Sequence, residues 1–350
     1  MPSKIPSVLI TGGAGFIGSH LAEALLDRGH SVTIVDDLST GQLANIAHLT
    51  EHPRFRFAVD AITNEVVMDR LVSECEVIFH LAAAVGVQLI VRDPIRVIET
   101  NVLGTRGVLK LASRYRRKVL IASTSEVYGK GNGCAFREDD DLLLGPTTKA
   151  RWCYSTSKAV DEFLGLAYHR QVELPVVIFR LFNTVGPRQT GQYGMVVPRF
   201  VQQALAGQPL TVYGDGQQSR CFCHVEDAIR AIIGLSECSA AVGKVFNIGS
   251  EEEISILDLA KRVITAVDAF TSDRFALAKN TSRISFVPYD LAYDSGFEDL
   301  RRRIPDTGKI RRYIGWQPSR TLDEILTDVV SFYVRKTNGL ETEPLSASAS

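Results

Sequence analysis

Short apolar runs alternate along the chain with longer stretches whose apolar residues recur at helical spacing. Ser7-Val-Leu-Ile10 reads as a strand; a glycine cluster, a helical pattern over 19–28 and a second strand, Ser31-Val-Thr-Ile-Val35, follow it. The rhythm repeats, with helical patterns over 65–73, 101–115 and 161–169 leading into strands over 77–81, 119–122 and 176–181. Apolar strands joined by helices predict a parallel sheet covered on both faces, because parallel neighbours need long crossovers. Past Asn183 glycine and proline are more frequent and the segments shorter, which predicts a smaller lobe against the carboxyl edge of the sheet. The first domain is therefore placed at 1–185 and the second mainly at 186–335, with some of its segments free to return to the first. A last helical pattern covers 322–334, and the tail 336–350 has too few apolar residues to pack, so it is expected to be flexible.

Composition adds bounds rather than detail. The 350 residues allow one large domain or two, and 45% hydrophobic with 23% charged residues is an ordinary globular balance. With 39 Lys plus Arg against 40 Asp plus Glu, no basic excess draws the chain to nucleic acid or an anionic membrane; any anion must meet a local site. The 6 cysteines form no C-x-x-C pair and no zinc-spaced cluster, so reduced thiols and no metal are expected. The passage from Met1 to Val8 is too short for an export signal, and the apolar stretch over 77–91 is too short and too interrupted to span a membrane. A cytoplasmic location is expected.

Thr11-Gly-Gly-Ala-Gly-Phe-Ile-Gly18 closes a strand and opens a helix, the setting of a dinucleotide-binding loop. Gly12 permits the tight turn, Gly15 the approach of a pyrophosphate to backbone N–H groups, and Gly18 close packing of helix on strand, with Phe16 and Ile17 between them. Asp36 ends the second strand and suits the adenosine ribose hydroxyls. A 2′-phosphate there would meet Asp36 and Asp37 with no adjacent arginine, so the cofactor expected is NAD. The fold class is α/β, a Rossmann-type doubly wound parallel sheet with a smaller C-terminal α/β substrate-binding domain. A glycine-rich turn with no ligand is the plainer alternative, and the flanking strand, helix and acid together weigh against it.

Tyr154-Ser-Thr-Ser-Lys158 puts a phenol and an ammonium on one helix face, where the positive charge would lower the phenol's pKa and make a usable base. Alone the spacing is weak; in company it is not. Gly12-x-x-Gly15-x-x-Gly18, Asn101-Val-Leu-Gly-Thr105, Ser125-Glu-Val-Tyr-Gly129, Tyr154-x-x-x-Lys158 and Asn183-Thr-Val-Gly-Pro-Arg188 occur in that order. From Val8 to Tyr333 the chain resembles the extended short-chain dehydrogenase/reductase family of nucleotide-sugar epimerases, dehydratases and decarboxylases. The resemblance makes Tyr154 the catalytic base, Lys158 its ribose-binding partner and Thr124 a donor to the sugar 4-oxygen. It lines the NAD with Asp60, Ala61, Leu81, Ala82, Ala83 and Asn101. It assigns Ser125, Asn183, Val197, Thr211 and Tyr213 to a UDP-sugar, with Arg220 on the diphosphate or a hexuronate and a second phosphate contact within Arg301–Arg303, placed at Arg303. It also implies a homodimer through the helices after Asn101 and Tyr154, with Leu109, Ala112, Leu164 and Ala167 as the apolar face.

Within the family the reaction opens by oxidation at C4, and its ending depends on what stands near C5 and C6. In Ser123-Thr-Ser-Glu126 the acid argues for chemistry beyond C4, since simple 4-epimerases carry a small or neutral residue at that place. Thr-Ser-Glu is similar to UDP-glucuronate decarboxylases; GDP-mannose dehydratases share it but take NADP and lack this glycine loop. Arg151-Trp-x-Tyr154, Arg220-Cys-Phe and Gly296-Phe-Glu-Asp-Leu with Arg303 and Pro305 resemble the aminoarabinose-type decarboxylases and apiose-forming enzymes. The segment 130–150 departs from them and is expected to shape the sugar pocket. The implied activity is UDP-glucuronate decarboxylation, with a UDP-hexose or UDP-hexuronate 4-epimerase as the alternative and a non-catalytic NAD-binding regulator as the second. For Glu126 the plainer reading is a strand-end carboxylate paired to an arginine.

Overall fold

A computed structural model describes residues 6–86, 90, 92–131, 134–191, 195–271, 283–288 and 301–337. The chain order in the first half is β1 (Ser7–Thr11), α1 (Phe16–Asp27), β2 (Ser31–Asp36), β3 (Phe55–Val59), α2 (Glu65–Ser73), β4 (Val77–His80), α3 (Pro94–Ile98), α4 (Gly104–Tyr115), β5 (Lys118–Thr124), α5 (Trp152–Val172) and β6 (Val176–Leu181). It continues with β7 (Thr184–Val185), α6 (Val196–Leu205), β8 (Leu210–Tyr213), β9 (Ser219–Cys221), β10 (Cys223–His224), α7 (Val225–Glu237), β11 (Lys244–Ile248), β12 (Glu253–Ser255), α8 (Ile256–Thr271), β13 (Ile284–Val287), α9 (Gly308–Ile314) and α10 (Leu322–Thr337).

The central sheet has 7 strands in the order β11-β6-β5-β4-β1-β2-β3, every neighbouring pair parallel. Its strands are apolar throughout because alternate side chains enter two different cores. Val8, Ile10, Leu120, Val177 and Phe179 join α1, α7 and α9 on one face. Leu9, Val119, Ile121, Val176 and Ile178 join α2 and α4 on the other. A further core, built on Phe200 and Val201 of α6, Leu259 and Val263 of α8 and Ile325 and Val329 of α10, organises the second lobe. Three small strand pairs, β7 with β10, β8 with β13 and β9 with β12, complete it.

Several elements differ from the sequence reading. The strand β3 was not anticipated, nor was β11, which carries the chain back from the second lobe to the outer edge of the first sheet. α5 starts at Trp152 rather than 161, so Tyr154 and Lys158 stand in its first two turns. α10 extends to Thr337, which places Lys336 in a helix; the rest of the proposed tail, 338–350, and the Gly296–Leu300 motif lie outside the described residues. Leu109 and Ala112 do not form an exposed face, because both are fully buried against the sheet; Leu164 is partly buried in the same core. Among the described residues no helix is long and apolar enough to cross a membrane, and no group of three or more His, Cys, Asp or Glu could hold a metal.

Candidate active site

The carboxyl ends of β1, β2, β4, β5 and β6 open into a cavity of about 380 Å³. At one end it is walled by the glycine loop with Asp36, Asp37 and Asp60, in the middle by Leu81, Ala82 and Ala83, and at the other end by Thr124, Ser125, Glu126, Asn183 and Arg303. Tyr154 and Lys158 reach it from α5. The fold thus gathers residues from positions 12 to 303 at the sheet edge where doubly wound folds bind ligands.

The loop end fits a dinucleotide. Gly12 has φ +73, and a Cβ there would meet Ala82 backbone at 2.9 Å; a Cβ on Gly18 would come within 2.2 Å of the Gly12 carbonyl. α1 begins at Phe16 with Gly15 as N-cap, no side-chain cap and no acid in its first turn, so backbone donors remain for an anion. Asp36 has two tasks. Its carboxylate accepts from Ala14 N and Leu38 N, both at 2.9 Å, and so braces the loop while facing the cavity. Burial pushes its pKa up against the pull of those N–H groups.

At the other end Thr124 ends β5 and accepts from Glu126 N at 3.2 Å, capping the short turn Ser125–Tyr128. Its hydroxyl also stands near enough to the Tyr154 phenol to pull that group's pKa down. Arg303 Nη1 lies 3.4 Å from Glu126 Oε1 and 3.4 Å from Ser125 Oγ, so Glu126 does have an arginine partner. The Arg303 guanidinium is buried, and its Nε–H has no hydrogen-bond partner among the described residues. Behind this wall Glu162 of α5 accepts from Arg180 of β6 at 2.9 and 2.7 Å and from Ser123 of β5 at 2.5 Å, a buried tie that fixes the catalytic helix to the sheet.

One expectation is corrected at the centre. The Lys158 ammonium, expected to lower the Tyr154 pKa, is engaged by Asp161 Oδ2 at 2.7 Å in this structure. Burial instead pushes the Tyr154 phenol well above the usual tyrosine range, the Glu126 charge adds to this, and the Thr124 hydroxyl and Arg303 oppose it.

Other predicted residues stand apart from the cavity. Asn101 is buried in a turn before α4, where it accepts from Ala84 N at 2.8 Å and donates to Ser157 Oγ at 3.0 Å; it shapes the wall without lining it. Ala61 sits behind Asp60, whose carboxylate it donates to. Val197 belongs to the second-lobe core, Thr211 is held by Gln203, and Tyr213 lies under the Arg199 guanidinium, 4.4 Å from its ring centroid. Arg220 Nη1 donates to Ser219 O at 2.7 Å. These four lie outside the described cavity, as do the described residues of 130–150 expected to shape it. Arg96, Thr184, Gln189 and Thr190 line it and were missed. Thr184 and Gln189 adjoin the Asn183–Arg188 motif, the one sequence signal that could have found them.

Residues 9–329 match the family described as GDP-mannose 4,6 dehydratase. The chain belongs to that family, among the extended short-chain dehydrogenases/reductases. Several relatives of this short-chain dehydrogenase/reductase are decarboxylases by name. A UDP-N-acetyl-alpha-D-glucosaminuronate decarboxylase of Bacillus cytotoxicus is 43% identical over 93% of this chain and 97% of its own. UDP-glucuronic acid decarboxylase 1 of Danio rerio is 35% identical over 94% of this chain and 73% of its own. Among solved structures, UDP-glucuronic acid 4-epimerase from Bacillus cereus, in complex with UDP-glucuronic acid and NAD, is similar with a TM-score of 0.81 at 29% identity, covering 94% of this chain and 99% of that one.

Proposed function

We propose that this enzyme decarboxylates a UDP-hexuronate, UDP-glucuronate in the first instance, with NAD as its resident cofactor. The observation that carries the reading is the buried Arg303 guanidinium beside Glu126, Ser125 and Tyr154, with one N–H left over for an oxygen of the ligand. A buried planar cation at the cavity wall suits a carboxylate or phosphate oxygen.

Gly12, Gly15, Phe16, Ile17, Gly18 and the start of α1 would hold the pyrophosphate, Asp36 and Asp37 the adenosine ribose, Asp60, Leu81, Ala82 and Ala83 the walls, and Lys158 the second ribose. Bound NAD supplies reversible oxidation at C4. Tyr154, its pKa drawn back down by the positive charge of the oxidised cofactor, takes as phenolate the proton of the 4-hydroxyl while Thr124 hydrogen-bonds that oxygen. The resulting ketone stands β to the C6 carboxylate, so the C5–C6 bond breaks with its electron pair passing to the ketone oxygen, and carbon dioxide leaves. The protonated Tyr154 hydrogen-bonds that enolate oxygen, and C5 takes up a proton from a water that the Glu126 carboxylate is placed to orient. Two copies associate, on this reading, along α5 and the turn before α4, where Phe163 and Leu103 stand exposed.

The test is to incubate the purified protein, without added NAD, with UDP-glucuronate and separately with its 2-acetamido counterpart, following anomeric proton signals and carbon dioxide. Carbon dioxide with a UDP-pentose is the expected result from at least one. A new uronic acid signal without carbon dioxide would replace the proposal with 4-epimerisation, the reading favoured by the likeness to the Bacillus cereus epimerase.

A further inference from the structure

We propose that Asp161 is a positioning residue of the cofactor site, the counter-ion that keeps Lys158 charged and fixed at the cavity wall across the neutral pH range. Both side chains are almost wholly enclosed, at 2% and 0% exposure, and stand three residues apart on α5. An ammonium so far out of water gives up its proton unless an anion is in contact with it. Among the described residues, Asp161 is the carboxylate within ion-pair distance of Lys158. Its other oxygen, Oδ1, is buried and meets no close hydrogen-bond donor, while the Thr105 hydroxyl nearby helps to hold the carboxylate charged.

The remaining groups around the pair do not replace it. Glu162, next along α5, is committed to Arg180 and Ser123. Glu126 faces the cavity against Arg303. Tyr154, one turn earlier, keeps its proton because burial raises its pKa. His80 of β4, held between the Thr11 and Thr105 hydroxyls at 2.8 and 2.9 Å, is pulled down to about 3, first by burial and then by the Lys158 charge, so it stays neutral. Burial and Lys158 act in opposite directions on Asp161 as well: enclosure pushes its carboxyl up and the ammonium draws it back. Each member of the pair is what allows the other to be charged.

The inference rests on the NAD reading, so its test reads NADH affinity rather than turnover. Protein freed of nucleotide is titrated with NADH by fluorescence from pH 6.5 to 9, with thermal melts alongside, for the wild type, Asp161→Asn and Asp161→Glu. Wild-type affinity should change by no more than about twofold. In Asp161→Asn it should fall about tenfold or more as pH rises, because Lys158 is then protonated at the acid end and neutral at the alkaline end. Asp161→Glu should restore most of the flat profile. A merely structural role would lower melting temperature and affinity alike at every pH, and an Asp161→Asn profile parallel to the wild type would overturn the proposal. Should Asp161→Asn fail to fold, Asp161→Ser is held to the same two outcomes. A wild type that binds no NADH at any pH would overturn the NAD reading and this inference with it.

Discussion

A buried guanidinium N–H without a partner is costly to keep, and Arg303 keeps one at Nε. Replacing Arg303 with Gln preserves much of the volume and a polar end but removes the charge. The KM for UDP-glucuronate should then rise about 10- to 100-fold, the cost of one charge-assisted contact to its carboxylate. NADH affinity should stay within about twofold, since Arg303 is at the far end from the glycine loop; a matching loss of NADH binding would mark the residue as part of the scaffold. The sequence was informative here to different degrees. The glycine loop, Thr124, Tyr154 and Lys158 were legible because their chemistry lies in short local spacings. Arg303 could be narrowed only to 301–303, since its place opposite Glu126 depends on a contact across 177 positions. The commitment of Lys158 to Asp161 was not legible: three residues, Tyr154, Asp161 and Glu162, lie within about one turn of the lysine, and only packing decides among them, sending Glu162 to Arg180.

The helices show why patterns mislead about direction. Ser155, Thr156 and Ser157 are weak helix formers, so the spacing signalled a helix only from 161, yet burial of Trp152, Tyr154 and Ser155 extends α5 back to Trp152. α4 carries apolar residues that could face either the sheet or a partner, and the sheet takes Leu109 and Ala112. Leu103, just before α4, and Phe163 of α5 stand outside at 53% and 65% exposure, with Val172 at the far end of α5 exposed as well. The double change Leu103→Asp with Phe163→Asp should halve the mass measured by light scattering while leaving the melting temperature of each chain within a few degrees. An unchanged mass would remove this face as the interface. The strands β3 and β11 escaped notice because neither follows the strand-helix-strand rhythm: β3 is a partly exposed edge strand, and β11 comes after an excursion through the second lobe.

For the whole molecule, buried neutral histidines set a limit on the acid side. Burial, chiefly, lowers His20 to about 4 and His80 to about 3, both from 6.5. The unfolded chain therefore binds these two protons at a pH where the folded chain does not, so stability is full above about 6.5 and declines as pH falls. Glu23, held at about 2 by its hydrogen bond to His48, adds to the loss below about 4.5. Each histidine can remove up to about 1.4 kcal/mol per pH unit below its unfolded value. Urea midpoints at pH 7, 6 and 5 should fall progressively, and, because burial lowers His224 as well, His20→Asn should reduce that slope by about a third to a half. A slope that His20→Asn leaves unaltered would mean the histidine is not buried as a neutral ring.

The return of β11 to the first sheet has a consequence for how the molecule is made. When the chain emerges from the ribosome, β6 is complete long before its outer neighbour exists, and its free edge of N–H and C=O groups stays open until residue 248 has been synthesised. The nucleotide-binding half is thus among the first parts translated and among the last to close. The second lobe, which supplies the polypeptide leading to β11, acts as a timer on the completion of the first.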